Sequence, residues 1–344
     1  MTLRQTSLRM RKKRQALSVG QICFGFFALF CLCLILRNSS IAMEYMNRGL
    51  LLCTRTVIPS LFPFMILSEI IVSGGLLKSL PRWLSAPMRF LFGLSDAGCG
   101  AVLLGMLCGF PIGAKCAKRS YEQGSMTKEE ATRILTFSNN PSSAFLISAV
   151  GVSLWGNRRF GIALYATVLA VATVTGILIN RLQKKGTPPR FMSFASSAES
   201  MPLRPLTGAK LFTESVSSAT GSMLLICAYV VFFSALMGAF HVILATFALP
   251  QAMTAFLFCL LELSGGVSQA SALENPIFAA VLCAFSAGWS GLSVHCQLIS
   301  VCDGSGFSFR SYFLAKIFQG ILCALILGLL VYLFPNLTLP AEVL

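Results

Sequence analysis

The sequence predicts an all-helical, polytopic membrane protein. Three observations carry that reading. Of 344 residues, 56% are hydrophobic and only 11% are charged, under half the charge of a soluble chain. Several apolar stretches approach or exceed the roughly 20 residues that cross a hydrocarbon core as a helix. These stretches are continuously apolar, without the alternation of a transmembrane β-barrel. Mean hydropathy is +0.77, which excludes a disordered chain, a coiled coil and a small disulfide scaffold.

Lys and Arg number 27 against 12 Asp and Glu, a formal net charge of +15. The basic residues sit mainly between apolar runs, as the positive-inside rule expects. No nucleic-acid-binding motif accompanies them, so the implied partner is the lipid bilayer and not nucleic acid. Most of the 13 Cys lie within apolar runs and read as small buried hydrophobes. There is no CxxC, and His241 and His295 are the only histidines. Neither a metal nor a cofactor is expected.

In chain order, Arg4, Arg9, Arg11, Lys12, Lys13 and Arg14 precede the apolar run Val19–Leu36. The run exceeds the roughly 7–15 residues of a signal-peptide core, so it reads as an uncleaved first helix with a cytoplasmic N-terminus. Ile41–Val57 is amphipathic, with Glu44, Arg48 and Arg55, and suits the membrane interface. Pro59 opens a second apolar run to Gly75 that holds Pro63 and Glu69. Lys78–Arg89, basic and proline-bearing, reads as a cytoplasmic or interfacial loop. Gly98–Gly113 is short for a span and weak as a continuous helix because of its glycines and Pro111. It enters and leaves on the basic side, which fits a re-entrant hairpin. Ile134–Trp155 is apolar but interrupted by Ser138-Asn139-Asn140-Pro141, and Phe160–Asn180 is a clean span.

Arg181–Lys210 is polar, basic and proline-rich, the natural cytoplasmic linker between two halves. The chain thus divides into a basic N-terminus and first helix (1–40), a first repeat (41–180), a linker (181–212) and a second repeat (213–344). In the second half, Ser215–Phe240, Val242–Leu263 and Tyr312–Phe334 read as spans, and Pro276–Val301 as a stretch rich in small residues. Tyr312, Tyr332 and Trp155 sit where interfacial aromatics belong. Gly109-Phe110-Pro111-Ile112-Gly113 before the turn at Gly124 matches Gly288-Trp289-Ser290-Gly291 before the turn at Gly304. Corresponding broken segments in two halves point to a transporter site.

Enzyme signatures such as HExxH, GxSxG or a Walker A loop are absent, so no catalytic residue is assigned. Glu69 and Glu262 lie within apolar runs, where a charge costs at least about 2.5 kcal/mol. They are assigned to coupling or gating, with a hydrogen-bonded glutamate near a helix end as the alternative. The amides of Asn139 and Asn140 need partners inside an apolar run. Pro141 frees backbone carbonyls, and broken backbone at membrane depth belongs inside protein or beside a cavity. With Ser138, this pair fits a substrate site; helix–helix hydrogen bonding is the alternative. Gly109, Pro111 and Gly113, and Ser290, Gly291 and Ser293, would allow close backbone approach to a ligand. As hairpin tips they would aim N–H groups at an anion. Lys115 is the cation nearest the first tip, and equally a positive-inside residue. Gln297 and His295 are weaker candidates. A small anionic solute is the expected partner; self-association is left open.

At these residues the chain resembles a known family. Pro59-Ser60-Leu61-Phe62-Pro63-Phe64, Gly109-Phe110-Pro111-Ile112-Gly113-Ala114-Lys115, Phe137-Ser138-Asn139-Asn140 and Leu261-Glu262 before a Gly-rich turn resemble the sporulation integral membrane proteins of the YlbJ (SpoVV) type. Those belong to the nucleoside-recognition, or Gate, domain superfamily. The resemblance covers roughly Ile41–Phe334. It implies a fold related to concentrative nucleoside transporters, with two repeats and re-entrant hairpins. It also implies the outer forespore membrane and movement of dipicolinate during endospore formation. For that flat aromatic dianion, Asn139, Asn140, the Gly109–Gly113 tip and Lys115 would supply donors and charge, and Phe110, Phe137 and Trp289 apolar walls. Transport of a nucleoside or other small metabolite is one alternative reading. A non-transporting role in spore-envelope assembly is another.

Overall fold

In the computed structural model, residues 19–75, 80–184 and 208–338 are described. The described residues contain helices and no strand. Among the described residues, six helices are long and apolar enough to cross a membrane, or up to seven if one bent pair is a single span. The chain is therefore an all-α polytopic membrane protein. The basic residues Arg4–Arg14, Lys78 and most of the expected linker lie outside the described residues.

The first span is α1 (Val19–Arg37). Only Cys31 is buried on it, so the helix turns nearly all its apolar surface outward, as a lipid-facing helix does. Next come α2 (Ser39–Leu52), a π-helical turn Cys53–Val57 and α3 (Ile58–Ser73). These run as one 35-residue helix, Ser39–Ser73, which corrects the expected interfacial segment at Ile41–Val57. Packing decides the matter. A Cβ on Gly49 would lie 2.6 Å from Ser234 Oγ, and one on Gly238 3.0 Å from Tyr45. The helix therefore lies tight against α9 (Gly208–Thr246). Pro59 is tolerated at the start of α3, where its missing N–H costs least.

The expected loop at Lys78–Arg89 contains a helix, α4 (Arg82–Phe92), which ends on Gly93 in the left-handed conformation. It meets α5 (Asp96–Cys108) at 91°. Ser95 starts α5 by accepting from Gly98 N at 3.1 Å, an N-cap bond. The chain turns at Gly109-Phe110-Pro111 and returns as α6 (Ile112–Glu122), so a helical hairpin is present, with its second arm running beyond the expected Gly98–Gly113 into the polar stretch from Lys115. α7 (Lys128–Ser138) starts at Thr127, whose Oγ1 accepts from Glu130 N. It breaks at Asn139–Ser142 and resumes as a π-helical segment, Ala144–Leu154. α8 (Arg158–Lys184) then spans the membrane. Asn157 starts it by accepting from Arg159 N at 2.8 Å.

α9 runs 39 residues, to Thr246. The expected span Val242–Leu263 does not exist: Val242–Thr246 ends α9, and Pro250 starts α10 (Gln251–Leu261). Proline cannot continue the preceding helix because it lacks an N–H. α10 and α11 (Leu263–Ser271) form a second helix pair that breaks at Glu262. α12 (Pro276–Trp289) and α13 (Gly291–Val301) are collinear enough to make one span, interrupted at Ser290 with φ 77°. α14 (Arg310–Leu333) is the last span.

Contacts fix which ends share a face. Lys118 donates to Asp303 O at 2.7 Å, and Lys128 Nζ lies 2.9 Å from the Cβ position of Gly306. Gly74 lies beside Leu211. On the opposite face, Asn157 Nδ2 donates to Leu337 O at 3.0 Å. The α5/α6 hairpin therefore enters from one face and the α10/α11 hairpin from the other. The first face carries Arg82, Arg89, Lys118, Arg119, Lys128, Arg133, Lys210 and Arg310; the second carries Arg37, Arg48, Arg158 and Arg159. The basic excess assigns the first face to the cytoplasm.

Two apolar cores are stacked across the membrane. The cytoplasmic one joins α3, α5, α6, α7 and the first half of α9 through residues such as Met65, Val102, Ile134, Phe137 and Ile226. The other joins the π-helical segment, α8, α10, α11, α12 and the end of α14. The helix breaks lie where the two cores meet.

Candidate functional site

Both hairpin tips and both helix breaks converge on one region. Phe110 N donates to Asn140 O at 2.9 Å, which ties the first tip to the break after α7. A Cβ on Gly105 would lie 2.4 Å from Ser138 O, and one on Gly113 2.8 Å from the same oxygen. Both arms of the hairpin thus press on α7 through glycine. At the second tip, a Cβ on Gly291 would lie 2.9 Å from Leu263 N and 3.0 Å from Glu262 Cα. Trp289 Nε1 donates to Leu260 O at 3.1 Å. Gly291 also needs φ 78°, a conformation glycine adopts without steric cost.

Between the tips is a small cavity of about 30 Å³, lined by Ser60, Phe110, Ser142, Glu262, Ser264 and Gln297 among others. A larger cleft of about 220 Å³ adjoins it and shares Phe145, Glu262 and Ser264 with it. Tyr45, Arg48, Ser234, Ser268 and Gln269 line this cleft, which lies toward the face opposite the cytoplasm.

Glu262 stands at the junction of both spaces and is 2% exposed. Its Oε2 accepts from Gly265 N at 2.7 Å. It thereby caps α11 and satisfies one of the N–H groups a helix start leaves free. A carboxylate is favoured there by the positive end of the helix dipole.

Asn139 and Asn140 are completely buried, and their polar atoms are spent on the protein. Asn139 accepts from Ala114 N at 3.0 Å and donates to Leu135 O at 3.1 Å. One amide thus closes the start of α6 and the end of α7. Asn140 donates to Phe137 O at 2.8 Å and accepts from Lys316 Nζ at 3.1 Å. In this conformation both amides build the break and neither reaches the cavity. Ser138 sits between Gly105 and Gly113, and its Oγ has no partner.

Glu69 and Lys115 are brought together elsewhere. Lys115 Nζ lies 2.5 Å from Glu69 Oε1, and Arg119 NH1 lies 3.0 Å from Oε2. Lys115 also donates to Ser218 Oγ at 2.9 Å and Ser222 Oγ at 2.8 Å. This cluster clamps α6 to α3 and α9 on the cytoplasmic side of the cavity. Lys115 is thus neutralised by a carboxylate and is not the free cation at the first tip.

Ser290 and Ser293 are buried, Ser293 accepting from Gln297 Nε2 at 3.3 Å. Ser290 marks a break within a span, so of the two glycine motifs matched by sequence only Gly109–Gly113 is a hairpin tip. By element order the counterpart of that tip is Glu262, and the counterpart of Asn139–Ser142 is Ser290. Of the expected aromatic walls, Phe110 faces the cavity. Phe137 stacks on Phe92 at 4.9 Å, and Trp289 packs on His295. Tyr312 is not interfacial: it is wholly buried and bonds His295 Nδ1 at 2.7 Å.

The sequence reading overlooked Lys316, which is 0% exposed, and Gln319, which donates to Thr136 O at 2.8 Å. The signal for Lys316 was available, since it lies inside the apolar run Tyr312–Phe334 just as Glu69 and Glu262 lie inside theirs. Among the described residues no group of three or more His, Cys, Asp or Glu could hold a metal.

No protein-family profile matches the chain, and no solved structure does. The chain is similar to the sporulation integral membrane protein YlbJ of Bacillus subtilis (strain 168), with 25% identity over 343 aligned positions that cover 91% of this chain and 83% of that protein.

Proposed function

We propose that the protein is a YlbJ-type membrane transporter that moves a small organic anion, dipicolinate first, during endospore formation. The observation that carries this reading is the meeting of two hairpin tips, one from each face, around the cavity beside Glu262. Inverted halves with broken helices at mid-membrane suit alternating access, because each face owns one hairpin. The likeness to a sporulation integral membrane protein supports the cellular setting. We take the outer forespore membrane as the site of action.

The geometry suggests how an anion is handled. The 30 Å³ cavity holds about one or two waters, so it is closed to an aromatic ring. The 220 Å³ cleft is the loading side, with Arg48 as a cation on its wall. The Glu69–Lys115–Arg119 cluster seals the cytoplasmic side. Glu262 occupies the N-terminus of α11 much as a carboxylate of the solute would. If Glu262 takes up a proton and turns away, the N–H of Gly265 becomes available to that solute. Proton uptake and anion binding are then coupled at one helix end. Asn139 and Asn140 act as positioning residues that keep the first tip on its break.

Reconstituted vesicles test this with labelled dipicolinate. Wild-type protein is expected to take it up, with excess unlabelled dipicolinate competing and nucleosides not. Glu262→Gln is expected to keep the fold and lose at least tenfold in rate. Uptake of nucleosides instead would reassign the substrate. Correctly inserted wild-type protein that moves neither would favour a role in envelope assembly.

A further inference from the structure

Lys316 stands within the apolar span α14, wholly buried, and among the described residues no carboxylate pairs with it. Such a charge is rare and marks function by default. Its ammonium donates to Asn140 Oδ1 at 3.1 Å. Asn140 is the second residue beyond the end of α7, where backbone carbonyls carry the negative end of a helix dipole. Three of those carbonyls are already held by side-chain amides: Leu135 O by Asn139, Thr136 O by Gln319 and Phe137 O by Asn140. Lys316 lines neither the cavity nor the cleft, so it does not meet the solute. His295 and Cys323 lie in its field, and neither is a carboxylate.

We propose that the Lys316 ammonium is a tethered cation: it fills the place at the end of α7 where a free monovalent ion such as Na⁺ would otherwise bind. The broken-helix site is then assembled without a bound ion. Two buried side-chain oxygens on α7 and α14 also lack partners. Gln319, one turn further along α14, is 1% exposed, and its Oε1 has no partner. The Oγ of Ser138, at the end of α7 itself, is likewise buried and unpartnered. The inference concerns the assembly of the fold and stands whatever solute crosses.

Thermal unfolding of the purified protein in detergent tests it, with NaCl, KCl and choline chloride at matched ionic strength. Wild type is expected to show the same Tm in all three. Lys316→Ala is expected to start lower and to gain roughly 3–8 °C in Na⁺ over choline. Lys316→Met, which fills the space without charge, is expected to stay low and gain nothing. A wild-type protein stabilised by Na⁺ over choline would overturn the proposal, and that arm holds even where a variant fails to fold. A folded Lys316→Ala that ignores Na⁺ would overturn it as well.

Discussion

Glu69 carries two cations. Its carboxylate is 6% exposed, whereas Lys115 and Arg119 keep 22% and 33% of their side-chain surface. Removing it strands two positive charges between α3, α6 and α9. Breaking a fully buried pair costs about 3–5 kcal/mol, and the partial exposure of the cations lowers that figure. Glu69→Ala is expected to cost roughly 2–4 kcal/mol, read as a fall in thermal midpoint, while Glu69→Asp retains part of the cluster. An unchanged midpoint would mean that water and lipid headgroups replace the carboxylate. Charges and amides in apolar runs are what sequence reveals best, because they cost energy unless partnered. Glu69, Glu262, Asn139 and Asn140 were legible for that reason. Their partners were not: that Lys115 serves Glu69, or that Asn139 joins α6 to α7, depends on which helices meet. Lys316 carries the same signal, but near the start of a span a long basic side chain is ordinarily expected to reach outward to the interface. The serines of the cavity, Ser60, Ser142 and Ser264, carried no signal, since serine is common throughout the chain.

At the scale of elements, glycine does two jobs that look alike in sequence. Gly109 makes a hairpin tip and Gly291 a break in a span, and only the packing distinguishes them. That is why the two glycine motifs were matched across the halves when their places in the element order differ. The Asn-Asn-Pro interruption and the first hairpin were legible from Pro, Gly and run length. The true limits of α9 and α10 were equally written, in Pro250, but the apolar run across it hid the turn. Gly105 offers a direct test of hairpin packing. An added Cβ would lie 2.4 Å from Ser138 O and 2.8 Å from Gly113 Cα, both backbone positions. Gly105→Ala is expected to destabilise by about 3 kcal/mol or more, beyond the usual cost of overpacking. Gly221→Ala on α9, whose Cβ would meet nothing within 4 Å, is expected to gain about 0.5–1 kcal/mol from helix propensity. Thermal midpoints of the pair, measured side by side, check both. Equal midpoints would show that α5 is free to pull away from α7.

For the whole molecule, the order helix, hairpin, broken helix, helix occurs over 39–184 and again over 208–333 among the described residues. A reporter inserted after Gly124 is expected in the cytoplasm, and one inserted after Leu273 on the other side. Alkaline phosphatase and green fluorescent protein fusions at the two turns read this out. Both reporters on one side would break the opposed-hairpin architecture.

The cleft beside Glu262 also shapes the electric field. Water filling a space of about 220 Å³ would conduct the outer potential down to the level of Glu262. The membrane voltage then falls mainly across the packed layer below, between Glu262 and the Glu69 cluster. A unit charge crossing the full voltage exchanges about 2.3 kcal/mol per 100 mV. Most of that work would then be concentrated into one short step, and the layer between Glu262 and the Glu69 cluster would act as a thin capacitor. An anion resting in the cleft would feel little of the voltage, and the same anion passing Phe110 would feel nearly all of it.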